Sequence, residues 1–108
     1  MTSARNAYEN AVDLIAKGEK ERAAEALEAM ISVYPDFADA YETLGMVFYK
    51  LNRYDDAIVW TDKLAKLRPD YAMAHTNLSV FYMKKGDKIK AEEEKALATV
   101  LSFGKAKK

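Results

Sequence analysis

Two prolines stand 34 residues apart, Pro35 and Pro69, and the same step of 34 carries much of the chain onto itself. It links Ala4, Ala38 and Ala72, then Ala11, Gly45 and Ser79, then Leu14, Phe48 and Tyr82. It also links Gly18, Asn52 and Gly86, and Ala23, Ala57 and Ala91. Chance supplies one such column, not five in register. A period of about 20–50 residues marks an array of stacked units, each covering its neighbour.

Each column has a mechanical role. Gly18, Asn52 and Gly86 fall where a first helix must end, and Gly and Asn best tolerate the left-handed cap conformation. Pro35 and Pro69 push Tyr34 and Arg68 out of helical geometry and so end each second helix. Asp36 and Asp70 follow directly and are expected to cap the next helix's free N–H groups. The alanine and glycine columns let helices approach closely around the bulk of Leu14, Phe48 and Tyr82. The predicted helices are roughly 4–17, 20–34, 38–51, 54–68, 72–85 and 88–102.

This period and column set resemble the tetratricopeptide repeat. The middle unit carries the resemblance best, with Tyr41-x2-Leu44-Gly45-x2-Phe48, then Ala57, Thr61 and Pro69. Tyr41 stands where the family often has tryptophan, and Thr61 replaces a large aromatic. The third unit keeps Leu78, Ser79, Tyr82, Gly86, Asp87 and Ala91 but has His75 and Lys95 in the two aromatic slots. The first diverges most, with Ala7 and Asn10. The resemblance implies an all-α, right-handed superhelical array of three helix–turn–helix repeats, six antiparallel helices in all. The repeats cover about 4–37, 38–71 and 72–104, and residues 105–108 form a basic tail. End columns turn polar at Asn10 and Asp13, and again at Glu92, Glu93, Glu94 and Lys95, so the array reads as close to complete with its own polar cap.

Composition narrows the chemistry. Seventeen basic and seventeen acidic residues cancel, which disfavours nucleic-acid binding by counterion release. The mild basic surplus of residues 70–108, eight basic against five acidic, reads as a solubilising end. There is no cysteine, hence no disulfide scaffold or thiol chemistry. The N-terminal residues lack a signal-peptide core and no apolar run reaches membrane-spanning length, so a soluble cytoplasmic protein is expected. No enzyme activity, cofactor or metal is expected. His75 sits in a packing column rather than beside a recognisable nucleophile. Glu92-Glu93-Glu94 fans out across about 200° of helix and reads as a solvated face. Trp60 is expected to pack between repeats.

The family resemblance implies a concave groove lined by the first helix of each repeat. Its positions hold Arg5, Tyr8, Glu9, Val12, Ile15 and Ala16, then Asp39, Glu42, Thr43, Met46, Tyr49 and Lys50, then Met73, Thr76, Asn77, Val80, Met83 and Lys84. One subset of the family clamps a C-terminal carboxylate there. The corresponding positions here are Tyr8, Val12, Thr43, Met73 and Asn77, none of them cationic, so that clamp is not expected. What remains is an apolar floor of Tyr8, Val12, Met46, Tyr49, Val80 and Met83, with Lys50 and Lys84 at one lip. Methionine and tyrosine suit adaptable apolar recognition. The candidate peptide-binding set is therefore Tyr8, Val12, Glu42, Thr43, Met46, Tyr49, Lys50, Asn77, Val80, Met83 and Lys84. The competing reading is that several of these side chains pack within or between repeats.

A second candidate lies on the last helix. Phe103 replaces the terminating proline, so this helix is free to run a turn further and to expose Leu97, Val100 and Phe103 for self-association. The alternative is a tail that folds back over them. The leading expectation is an adaptor that holds an apolar or mixed peptide of another protein. Its rival is a homo-oligomer built through the last helix.

Overall fold

The computed structural model describes residues 3–106; the first two residues, and Lys107 and Lys108 of the basic tail, lie outside the described residues. Six helices follow one another: α1 (Ala4–Ala16), α2 (Lys20–Val33), α3 (Ala38–Lys50), α4 (Tyr54–Leu67), α5 (Ala72–Lys85) and α6 (Lys88–Ala106). The pairs α1–α2, α3–α4 and α5–α6 pack antiparallel, and the contacts of α2 with α3 and of α4 with α5 join pair to pair. The helix ends fall within one residue of the predicted ones except in α6. There the missing proline lets the helix continue to Ala106 instead of folding back.

The first helix of each pair ends by one repeated device. Gly18, Asn52 and Gly86 have φ of 80°, 62° and 97°. The left-handed residue turns the next N–H back along the helix. Glu19, Arg53 and Asp87 each donate to the carbonyl of Leu14, Phe48 and Tyr82 at 2.9 Å. Asn52 is the one non-glycine in this set, consistent with the local tolerance of asparagine for such a φ.

The Pro-Asp pairs act differently from the expectation. Phe37 and Tyr71, not Asp36 and Asp70, occupy the N-cap positions of α3 and α5, and neither helix has a side-chain cap bond. The Phe37 N–H donates to the Tyr34 carbonyl at 3.2 Å and the Tyr71 N–H to that of Arg68 at 3.0 Å. Proline and aspartate are thus the two central residues of a tight turn, proline at its favoured second position. The aspartate is one residue too early to cap.

The core is a single line of buried side chains through all three pairs, including Ala11, Leu27, Leu44, Ala57, Leu64 and Phe81. The closest approach is at Gly45. A Cβ there would lie 2.5 Å from Thr61 Oγ1 and 3.8 Å from Phe81 Cε2, so only glycine lets α3 meet α4 and α5 at this depth. In the third pair the Ser79 hydroxyl donates to the Ala91 carbonyl at 2.8 Å, stitching α5 to α6 at the same column. Tyr41, buried, donates to the Pro35 carbonyl at 2.7 Å and so fixes the first turn against α3. Trp60 is half-buried against the core, with the Tyr41 ring of its own repeat at 6.0 Å and the Lys63 ammonium 4.2 Å from its ring centre.

Between the second and third repeats, the Tyr71 hydroxyl donates to Glu42 at 2.9 and 3.1 Å from its two oxygens. Burial, then the bond to the carboxylate, pushes the Tyr71 phenol up to about 12.

Two outcomes are expected. Gly45→Ala lowers stability by about 1–3 kcal/mol because Thr61 has to give way. In a Thr61→Ala background the same change costs markedly less, as followed by thermal denaturation; strictly additive effects would remove the contact as the cause. Second, the folded state holds the Tyr71 proton more tightly than the unfolded chain, whose phenols titrate near 10. That contribution to stability is intact below pH 10 and is lost as pH rises toward about 12. Tyr71→Phe should flatten this fall in denaturant melts at pH 9 to 12, and an unchanged slope would contradict the assignment.

Candidate functional site

The first helices α1, α3 and α5 carry the predicted groove residues, but packing claims part of the floor. The Tyr8 ring lies 5.4 Å from Phe37 and its hydroxyl is 2.7 Å from that of Thr43, which ties repeat one to repeat two. The Arg5 guanidinium sits over both rings, 5.7 and 5.1 Å from their centres. Tyr49 lies 5.1 Å from Phe81 and 5.9 Å from Tyr54, and Met46 is half-buried against the core. Glu42 is engaged by Tyr71. The apolar side chains left open are Val12, 38% exposed, Val80, 43%, and Met83, 46%, with Met73 also exposed. Lys50 and Lys84 are exposed, and Asn77 is half-buried.

A large concavity lies toward the last pair, not at the middle of the array. A cleft of about 870 Å³ opens between α5 and α6. Val80, Met83 and Lys84 of the predicted groove form one wall, and Glu92, Lys95, Ala98, Thr99, Ser102 and Phe103 of α6 form the other. The α6 residues other than Phe103 were not singled out from sequence as a binding wall. Their signal was available in the columns, since Lys95, Ala98 and Thr99 stand where the second repeat has Thr61, Leu64 and Ala65.

The three residues singled out on the last helix separate. Phe103 lines this cleft, whereas Leu97 and Val100 do not. At about 100° per residue, Lys95, Thr99 and Ser102 share one stripe of α6 and Leu97 and Val100 lie on another. Ile89 is exposed on that second stripe.

His75 and Glu94 join α5 to α6 through a 2.6 Å contact from Nδ1 to Oε1, with side chains only 15% and 21% exposed. The histidine is the half-buried structural residue expected of its column. Glu94 is a correction: Glu92 and Glu93 are solvated, but Glu94 points to α5 because His75 there offers it a partner. Among the described residues no other side chain bonds to His75, and no group of three His, Cys, Asp or Glu could hold a metal ion. Among the described residues, likewise, no helix is long and apolar enough to cross a membrane.

The architecture has clear relatives. A crystal structure of MamA superposes with a TM-score of 0.94 at 29% identity, covering 99% of this chain and 63% of that one. This chain therefore spans less than two thirds of that relative's length. The second TPR of Spaghetti (RPAP3), solved bound to the HSP90 peptide SRMEEVD, matches with a TM-score of 0.82 at 18% identity over 91% of each chain. The CopN-Scc3 complex matches with a TM-score of 0.86 at 15% identity, covering 91% of this chain and 58% of that one. A search of curated proteins finds no significant match. The family model for the tetratricopeptide repeat matches residues 8–72, more than half of the sequence. The chain belongs to the tetratricopeptide repeat family.

Proposed function

We propose that this protein is a non-catalytic interaction module that holds an apolar or mixed peptide segment of another protein along the concave face of α1, α3 and α5. The observation that carries the reading is the row of open apolar side chains on that face, Val12, Val80 and Met83, beside exposed Lys50 and Lys84. Tyrosines and Met46 below this row give it a rigid base. Chains of the same architecture occur in the Spaghetti structure bound to an HSP90 peptide and in the CopN-Scc3 complex, which supports the class of function without naming the partner. The positions used by the carboxylate-clamping subset are Tyr8, Val12, Thr43, Met73 and Asn77. They bring no positive charge, so recognition here does not depend on a free C-terminus.

A second reading, self-association through α6, is favoured by Leu97 and Val100, which are 46% and 66% exposed on one stripe, with Phe103 at the helix tip 60% exposed.

Peptides selected from a random display library test the first reading. Enriched sequences should carry two or three apolar anchors and bind equally as C-terminal acids and amides. Val12→Asp and Val80→Asp should each weaken binding by about tenfold or more, the scale of one lost apolar burial, with helical content unchanged. A strict need for the free carboxylate would sink the proposal. For the second reading, light scattering should show a dimer that Leu97→Lys dissociates, and a strict monomer at high micromolar concentration removes it.

A further inference from the structure

The cleft between α5 and α6 is a helix seat that the same fold fills twice elsewhere. Its floor residues Ser79, Lys95 and Ala98 correspond by the 34-residue step to Gly45, Thr61 and Leu64, and by a second step to Ala11, Leu27 and Met30. All six earlier counterparts are buried. The first helix of the following pair lies against these seats, as the approach of Phe81 in α5 to Gly45 and to Tyr49 shows. In the third pair the seat is open, and Lys95 and Thr99 are exposed. Its α6 wall is also longer. α6 has 19 residues against 14 in α2 and α4, and Phe103 lines the cleft where the proline would stand.

The helices that fill the first two seats show what an occupant presents. α3 uses Ala40, Leu44 and Val47, and α5 uses Ala74, Leu78 and Phe81, each a buried stripe at i, i+4 and i+7. The corresponding stripe of α1 is Asn6, Asn10 and Asp13, all exposed. A second copy docked head to tail would therefore bring Asp13 to the position that Phe81 takes against Gly45, and bury an unpaired charge. The occupant is not α1 of another copy. Charge narrows it further. Lys84 and Lys95 line the cleft without an ion-pair partner among the described residues, against the single acid Glu92.

We propose that the α5–α6 cleft docks an amphipathic helix of another protein. Its apolar stripe runs small, leucine-like and large at i, i+4 and i+7, and its flanking Asp or Glu residues meet Lys84 and Lys95. This rests on the reading of the chain as an interaction module and shares Val80, Met83 and Lys84 with the concave row. Lys95, Thr99 and Ser102 belong to α6 alone, and Val12 to the concave row alone, so they tell the two sites apart. The seat is a helix-in-groove site on α5 and α6.

A labelled, helix-favouring synthetic peptide of about four turns, carrying Ala-x3-Leu-x2-Phe between glutamates, tests it by fluorescence anisotropy on the full chain. Saturable binding is expected. Thr99→Arg, or Ser102→Arg should the first variant lose helical content, should weaken it by about tenfold or more. Lys95→Glu should weaken the glutamate-flanked peptide and strengthen a lysine-flanked one. No binding overturns the proposal. So does binding that ignores Thr99→Arg but is lost with Val12→Asp, which would place the peptide in the concave groove. Sedimentation showing the chain associating with itself through a contact sensitive to Thr99→Arg would give the seat to a second copy and equally refute the foreign helix. Failure of the seat leaves library peptides sensitive to Val12→Asp unaffected, so the two readings fail separately.

Discussion

A pair of short helices cannot bury both of its broad sides, and the rest of this structure depends on that. Each pair covers the one before it and needs the next to cover it in turn. The depth of the fit is set at one crossing of two columns. Where α3, α4 and α5 meet, Gly45 lies under Thr61 and Phe81, and no Cβ is admitted. The last pair carries Ser79 and Lys95 at the same crossing. The serine satisfies itself by bonding to the Ala91 carbonyl, and the lysine reaches water. This face of the last described pair is therefore polar while still shaped like a helix seat.

The fold was legible because its determinants are local and repeated. A positive φ at Gly18, Asn52 and Gly86 and a proline at 35 and 69 act within a few residues, so the helix boundaries follow from sequence. What failed was phase. Asp36 and Asp70 look like caps, but proline before them sets a turn whose closing residue is the aromatic that follows, and the cap position moves one residue on. Pairings between distant residues were equally hidden. Glu94 finds His75 nineteen residues away, and Trp60 finds Tyr41, because facing helices bring them together in ways that a single helix's periodicity does not express.

The candidate site was half legible for a related reason. Positions on the inner surface of a first helix border the next helix, and a large side chain there can turn either way. Tyr8 and Tyr49 turn sideways onto Phe37 and Phe81, while the shorter Val12 and Val80 stay open. Neighbours rather than length separate the two outcomes, since Tyr49 has Phe81 against it whereas Met83, at the same column of the third repeat, stays open. The α6 wall went unread because its columns are ordinarily covered, and nothing in one residue's identity marks the absence of a cover.

The line of neighbour-to-neighbour contacts has one more consequence. The main contacts run only between successive helices, so changes on the open side of α6 disturb little beyond α5. The middle pair, held on both flanks, is where sequence drift meets the most resistance. The terminal wall is where it meets the least. An array of this kind can thus exchange one recognised partner for another by rewriting a few residues at its edge, while the scaffold that presents them stays as it was.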